Sequence, residues 1–166
     1  MNQTTSASTA AANTTEPRIA FIQACWHREI VDQARDSFAI EIEKHGIAND
    51  RVDYFEVPGA FESPLRAKLL SKSGQYGVII AAAFVVDGGI YRHEFVSSAV
   101  IDALMNVQLE TEVPILSTVL TPQNFHESVD HQTFFENHFR IKGAEAASAC
   151  ATVLAQYLPE LAETAA

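Results

Sequence analysis

The sequence predicts a three-layer α/β/α sandwich built on a four-stranded parallel sheet, and three observations carry that reading. Short apolar runs alternate four times with apolar stripes at helical spacing. The run 77–86, Gly-Val-Ile-Ile-Ala-Ala-Ala-Phe-Val-Val, is apolar without alternation, as in a strand covered by helices on both faces. The chain has 166 residues, enough for one domain with a substantial core and too few for two of ordinary size. Strand–helix units in series imply parallel strands joined by right-handed crossovers.

Taken in order, Ile19–Ile22 is the first strand, and Ile30, Val31, Ala34, Phe38 and Ile42 form the stripe of the helix behind it. Val52–Val57 is the second strand. It runs through Pro58-Gly59 into a helix carrying Leu65, Leu69 and Leu70, which stops near Ser73-Gly74. After the third strand, 77–86, come Phe95, Val96, Ala99, Val100, Ala103, Leu104 and Val107, the stripe of the third helix. Pro114–Leu120 is the fourth strand, and from Asn124 the chain is mostly helical. This order is flavodoxin-like, and in such sheets ligands bind beyond the carboxyl ends of the strands. Residues 1–17, rich in Thr, Ala, Asn and Ser and lacking a signal-peptide pattern, are expected to be a disordered tail; 18–158 form the domain and 159–166 a C-terminal tail.

A formal net charge of −10 argues against nucleic-acid or anionic-membrane partners, because the long-range field repels phosphates. No apolar stretch approaches the roughly 20 residues needed to span a bilayer. Cys25 and Cys150 have neither metal-ligand nor disulfide-framework spacing, so a reducing cytoplasm is the expected compartment. His126, His131 and His138 do not fall on one helical face, so no metal is expected there.

Four segments leave the carboxyl ends of the strands, and each carries residues suited to a ligand. Trp26 either stacks on a planar ring or packs on the sheet at a helix start; His27 is a helix cap or a solvent-facing residue. In Val57-Pro58-Gly59-Ala60-Phe61-Glu62, proline fixes a backbone angle and Gly59 allows close approach, while Phe61 and Glu62 can grip a flat, hydrogen-bonding heterocycle. Gly88 and Gly89 expose backbone N–H groups to a phosphate before the third helix. Beside them, either Arg92 binds an anion and His93 transfers protons, or Arg92-His93-Glu94 is a solvated charged face, and Asp87 can cap the helix. His131, beyond the fourth strand, is either an anion contact or a lone surface histidine. Phe134, Phe135 and Phe139 suit a core or a subunit interface.

These residues resemble the lumazine synthases, and in particular the non-icosahedral type II subgroup. The resemblance spans Arg18 to about Leu158. It is carried by Ile19-Ala20-Phe21-Ile22-Gln23-Ala24-Cys25-Trp26, the 57–62 run, Gly88-Gly89-Ile90-Tyr91-Arg92-His93, Val119-Leu120-Thr121 and Lys142-Gly143-Ala144-Glu145-Ala146-Ala147. It implies condensation of 5-amino-6-(D-ribitylamino)uracil with 3,4-dihydroxy-2-butanone 4-phosphate to 6,7-dimethyl-8-ribityllumazine, the penultimate step of riboflavin synthesis, with no cofactor. It further implies pentamers with sites between neighbouring subunits, and a pathway link to riboflavin synthase. The long stretch from His131 to Lys142 favours a decamer of two pentamers over a capsid.

By the same resemblance Trp26 stacks on the pyrimidine, Ala60, Phe61 and Glu62 bind the ribityl chain and uracil, Val85, Val86 and Asp87 line the pyrimidine edge, and Ser117 belongs to the same substrate-binding group. Gly88, Gly89 and Ile90 lie in the phosphate loop. The sequence departs from the family at four places. Ile90 and Arg92 stand where a threonine and the catalytic histidine are usual, so that either Arg92 replaces the histidine or a local shift lets His93 do so. His131 stands at the phosphate-binding arginine, and Ser117 at a phenylalanine beside the phosphate. An imidazole supplies less fixed charge than a guanidinium, so phosphate binding is expected to be weak. The competing reading is a flavin- or lumazine-binding paralogue without efficient turnover. A flavodoxin-like redox protein would need a Ser/Thr-rich phosphate loop after the first strand, where this chain has Ala24-Cys25-Trp26-His27.

Overall fold

The computed structural model describes residues 16–89 and 92–164. Residues 1–15, most of the expected N-terminal tail, and Ile90 and Tyr91 of the phosphate loop lie outside the described residues. The elements are β1 (Arg18–Ala24), α1 (Arg28–Lys44), β2 (Val52–Val57), α2 (Ser63–Lys72), β3 (Tyr76–Phe84), α3 (His93–Thr111), β4 (Ile115–Leu120) and α4 (Val129–Thr164). Four parallel strands lie in the order β2-β1-β3-β4. Helices cover both faces, giving the flavodoxin-like sandwich that the strand–helix alternation predicts.

All nine residues of β3 are buried, which is why its sequence shows no alternation. Phe21, Phe38, Ile80 and Phe139 belong to the core between the sheet and α1 with α4. Ile22, Ala67, Ile79 and Val100 belong to the core on the opposite face, under α2 and α3. Gly143 sets the approach of α4 to α1: a Cβ there would run into the carbonyl oxygen of Ala34 and the hydroxyl of Ser37. A residue without a side chain is therefore what lets the two helices pack this closely.

Two stripes differ from the sequence reading. On α2 the buried residues are Ser63, Ala67, Leu70 and Ser71, whereas Leu65 and Leu69 are 64% and 57% exposed. On α3 the inward residues are His93, Ser97, Val100, Leu104 and Val107, while Phe95 and Ala99 face outward. Each helix has two apolar stripes, and the sheet takes the one with the smaller side chains. The strand ends also shift: β3 stops at Phe84 and β4 starts after Pro114. The backbone of α4 is helical past Pro159 to Thr164, through most of the expected C-terminal tail. Among the described residues no helix is long and apolar enough to cross a membrane.

At the amino edge of the sheet, away from the loops of interest, Arg18 Nε donates to Asp53 Oδ2 at 2.6 Å and the Tyr76 hydroxyl donates to the same oxygen at 3.0 Å. These bonds outweigh desolvation and hold the Asp53 carboxyl below its usual range.

Candidate active site

The strand order places a topological switch between β1 and β3. The chain leaving β1 turns toward β2, and the chain leaving β3 turns toward β4, so a crevice opens beyond their carboxyl ends. Trp26 leaves β1 on one side and the segment 85–89 leaves β3 on the other.

The β1–α1 turn is tightly braced. His27 adopts a left-handed conformation (φ 51°, ψ 48°), uncommon for a residue with a side chain, and its carbonyl accepts the first helical N–H groups, of Ile30 and Val31. Its ring neither caps the helix nor points freely to solvent: it packs edge-on against Phe84 at 5.5 Å and Phe125 at 5.1 Å. Buried Gln23 donates to Asp32, which also pairs with Arg28 and Arg35, and Arg28 reaches Glu56 on β2. With the turn held on both sides, the Trp26 indole projects outward and is 71% exposed, not packed on the sheet.

Trp26 meets the turn after β2. A Cβ on Gly59 would lie 3.3 Å from Glu62 Oε2 and 3.8 Å from Trp26 Nε1, so the missing side chain is what keeps the space between indole and carboxylate open. Gly59 has an extended backbone that any residue can adopt, and its role here is size. The Gly59 N–H donates to Glu62 Oε2 at 2.9 Å, which aims the carboxylate and leaves its second oxygen for a ligand. Phe61 is 56% exposed at the same edge, and Ala60 packs against the core under α2 and α3. Two exposed aromatic rings beside an oriented carboxylate can bind a planar heterocycle bearing hydrogen-bond donors.

Beyond β3, Val85 is buried and donates its N–H to Leu120 at 2.9 Å, while Val86 is half-buried. Asp87 Oδ1 accepts the backbone N–H of His93, first residue of α3, at 2.7 Å and lies 3.0 Å from His93 Nδ1. The negative charge sits on the positive end of the helix. The backbone bond and then the ring bond from His93 hold the Asp87 carboxyl below its usual range. His93 is 9% exposed, whereas the Arg92 side chain is 72% exposed, 3.3 Å from Glu94 and over the Phe95 ring. Of this adjacent pair, the histidine is the residue held at the strand end.

Gly88 and Gly89 are exposed, Gly89 with φ +75°, and among the described residues no atom beyond their chain neighbours lies within 4 Å of where their side chains would be. Their backbone is open to an anion, although the N–H that opens α3 is already taken by Asp87. Asp87, His93 and Glu94 bring ligand atoms within 4.8 Å of one another, a grouping able to hold a divalent cation. Helix capping and the His93 contact explain the same cluster without one.

Ser117 lies on β4 and His131 in the first turn of α4. Ser117 is exposed in the middle of the edge strand β4, paired with Ala81. His131 Nδ1 accepts the His126 N–H at 3.2 Å, and the ring lines an open pocket of about 440 Å³ with Asn124, Asp130, Phe134 and Phe135. No hydrogen bond or ion pair among the described residues joins His131 to Gly88, Gly89 or Arg92. His138 stacks on Phe134 instead of joining the other histidines. Of the phenylalanines in this segment, Phe139 is buried, Phe135 half-buried and Phe134 61% exposed.

Sequence reasoning missed the Gln23–Asp32 brace and the ring cluster that ties His27 to Phe84 and Phe125. Neither has a motif: each joins residues from different elements, and only a polar residue inside the apolar run of β1 hinted at the first.

Residues 16–157 match the family model described as 6,7-dimethyl-8-ribityllumazine synthase. The chain is similar to "6,7-dimethyl-8-ribityllumazine synthase 2" of Pseudomonas syringae pv. tomato, 61% identical over 137 residues that cover 82% of this chain and 81% of that protein. A 6,7-dimethyl-8-ribityllumazine synthase of Rhodococcus erythropolis is 62% identical over 132 residues, 80% of this chain and 85% of that one. The synthase 2 of Bradyrhizobium diazoefficiens is 58% identical over 137 residues, 82% of each chain. With a family match over most of its length and relatives this similar, the chain belongs to the lumazine synthase family, in its type II subgroup.

Proposed function

We propose that this protein condenses 5-amino-6-(D-ribitylamino)uracil with 3,4-dihydroxy-2-butanone 4-phosphate to 6,7-dimethyl-8-ribityllumazine, releasing phosphate and water. The observation that carries the reading is the gap at Gly59, bounded by the exposed Trp26 indole and the oriented Glu62 carboxylate. A uracil ring stacks on Trp26, and the ribityl hydroxyls donate to Glu62 beside Phe61 and Ala60. The strand end at Val85, Val86 and Asp87 borders the pyrimidine.

Amine attack, imine formation, phosphate elimination and ring closure need orientation and proton transfer, with no redox step. Holding the two substrates together contributes about 7 kcal/mol or more toward the barrier. Proton transfer by His93 adds roughly 10²- to 10⁴-fold. Arg92 works electrostatically, since a guanidinium is a poor proton donor. The phosphate lies against the Gly88–Gly89–Ile90 loop with Arg92 on one side. His131 and Ser117 come to it from a neighbouring protomer of a pentamer, and two pentamers form a decamer in the cytoplasm. What supports assembly is the outward apolar stripe of α2 and α3, where Leu65, Leu69, Phe95, Met105 and Leu109 are each more than half exposed.

One observation favours a second reading, a lumazine- or flavin-binding protein with little turnover. Asp87 puts a negative charge on the helix end where a phosphate would otherwise gain most. The deciding experiment follows the fluorescent lumazine in a cofactor-free assay with both substrates against the uncatalysed reaction. Saturable acceleration, with His131→Ala raising KM for the butanone phosphate, supports the synthase. Tight lumazine binding without acceleration supports the binder. Sedimentation at capsid size would refute the decamer.

A further inference from the structure

His93 is held by its main chain and its ring through one carboxylate oxygen. Asp87 Oδ1 accepts the backbone N–H at 2.7 Å and lies 3.0 Å from Nδ1. Glu94 Oε2 lies 3.8 Å from the same nitrogen, and Arg92 pairs with the other oxygen of Glu94. An ionised carboxylate only accepts hydrogen bonds, so a neutral ring facing two of them carries its proton on Nδ1. Asp87 is kept ionised by the very bonds His93 donates. Capping alone would require only the backbone bond; the second bond turns the ring as well. Nε2 is left with its lone pair and has no hydrogen-bond partner among the described residues, and 10% of the side chain remains exposed.

We infer that Asp87 is a positioning residue that locks His93 as the Nδ1–H tautomer and so makes Nε2 the atom that takes and returns substrate protons. The inference rests on the synthase reading and names the residue that tunes it. In the elimination step, Nε2 takes the proton from the carbon beside the imine. The C–H electron pair becomes a C=C bond, and the C–O bond to phosphate breaks with its pair leaving on phosphate. The ring, protonated on both nitrogens, rests against the negative Asp87. It then gives the Nε2 proton to the terminal carbon of the enol so formed, while the enol O–H proton passes to the departing phosphate; the resulting methyl ketone is what the ring closes on, and no net proton is gained by the enzyme.

The test combines two readouts on full-length wild-type, Asp87→Asn and Asp87→Ala proteins. Long-range ¹H–¹⁵N correlation of ¹⁵N-histidine protein reports which ring nitrogen of His93 is protonated, and steady-state assays report kcat and KM for both substrates. Asparagine retains an oxygen for the backbone N–H, so the start of α3 survives in that variant, which circular dichroism checks. The expected result is an Nδ1–H ring in the wild type, loss of that tautomer in Asp87→Ala, and kcat lower by about 10²-fold in both variants, the lower end of what acid–base catalysis contributes, with KM for the uracil substrate within about threefold. An accelerating wild type whose ring is Nε2–H overturns this inference alone. A kcat within about threefold of wild type in Asp87→Asn does the same. A wild type with the Nδ1–H ring and no acceleration overturns the synthase reading, and the catalytic part of the inference with it.

Discussion

Asp87 Oδ1 binds His93 twice, through the backbone N–H at 2.7 Å and at Nδ1 at 3.0 Å, and this settles which of two adjacent basic residues turns inward. Arg92, one residue earlier, is the extended residue that precedes α3, and its side chain is 72% exposed. His93→Ala is therefore expected to lower kcat by roughly 10²- to 10⁴-fold. Arg92→Ala is expected to act mainly on KM for the phosphate-bearing substrate. Steady-state kinetics on the two variants check this; a kcat loss confined to Arg92→Ala would reverse the roles.

Gly59→Ala tests the opening between Trp26 and Glu62 without straining the backbone. The added methyl carbon would sit 3.3 Å from the carboxylate and 3.8 Å from the indole nitrogen, in space assigned to the pyrimidine. Calorimetric titration with the lumazine product is expected to show affinity lower by at least about tenfold, with the thermal midpoint nearly unchanged. Unaltered affinity would place the heterocycle elsewhere.

Gly143→Ala is expected to be costly for a purely steric reason. Its Cβ would collide with the Ala34 carbonyl and the Ser37 hydroxyl, forcing α4 away from α1. Overpacking of this kind costs about 1–3 kcal/mol or more, visible as a lower urea midpoint with little change in slope. The usual gain in helix propensity from glycine to alanine, about 1 kcal/mol, would appear instead if the helices did not touch here.

Acid sensitivity is expected from Asp53. Its carboxyl is held below the usual range by the Arg18 hydrogen bond, so the contribution is fully present above the unfolded value of roughly 3.9 and is lost as pH falls through the folded one. Urea midpoints of wild type and Asp53→Asn should differ near neutrality and converge as pH falls below about 4. Parallel curves throughout would remove the assignment.

Cys150 is fully buried, and burial pushes its thiol up to about 12. Native protein is expected to take iodoacetamide at half-buried Cys25 alone, with Cys150 labelled only in denaturant. Mass spectrometry of peptides after brief labelling distinguishes the two.

Hydrophobic period by itself determined the order of elements, the parallel sheet and the segments that leave the strand ends, because an apolar run must be buried and its spacing reports the backbone that buries it. The unalternated third strand was legible for this reason, as was the stop at Pro58-Gly59. Period does not say which of two apolar stripes a helix buries. Of Leu65, Leu69 and Leu70, only Leu70 is buried, beside Ser63, Ala67 and Ser71, because the close fit of α2 on the sheet takes the face with the small residues. Nor does sequence order give strand order, and the switch between β1 and β3 that opens the crevice is a property of the assembled sheet. Which of Arg92 and His93 turns inward was decided the same way. Arg92 is the extended residue before α3 and His93 its first helical one, and the starting point of α3, pinned by Asp87, determines which of the two side chains faces inward.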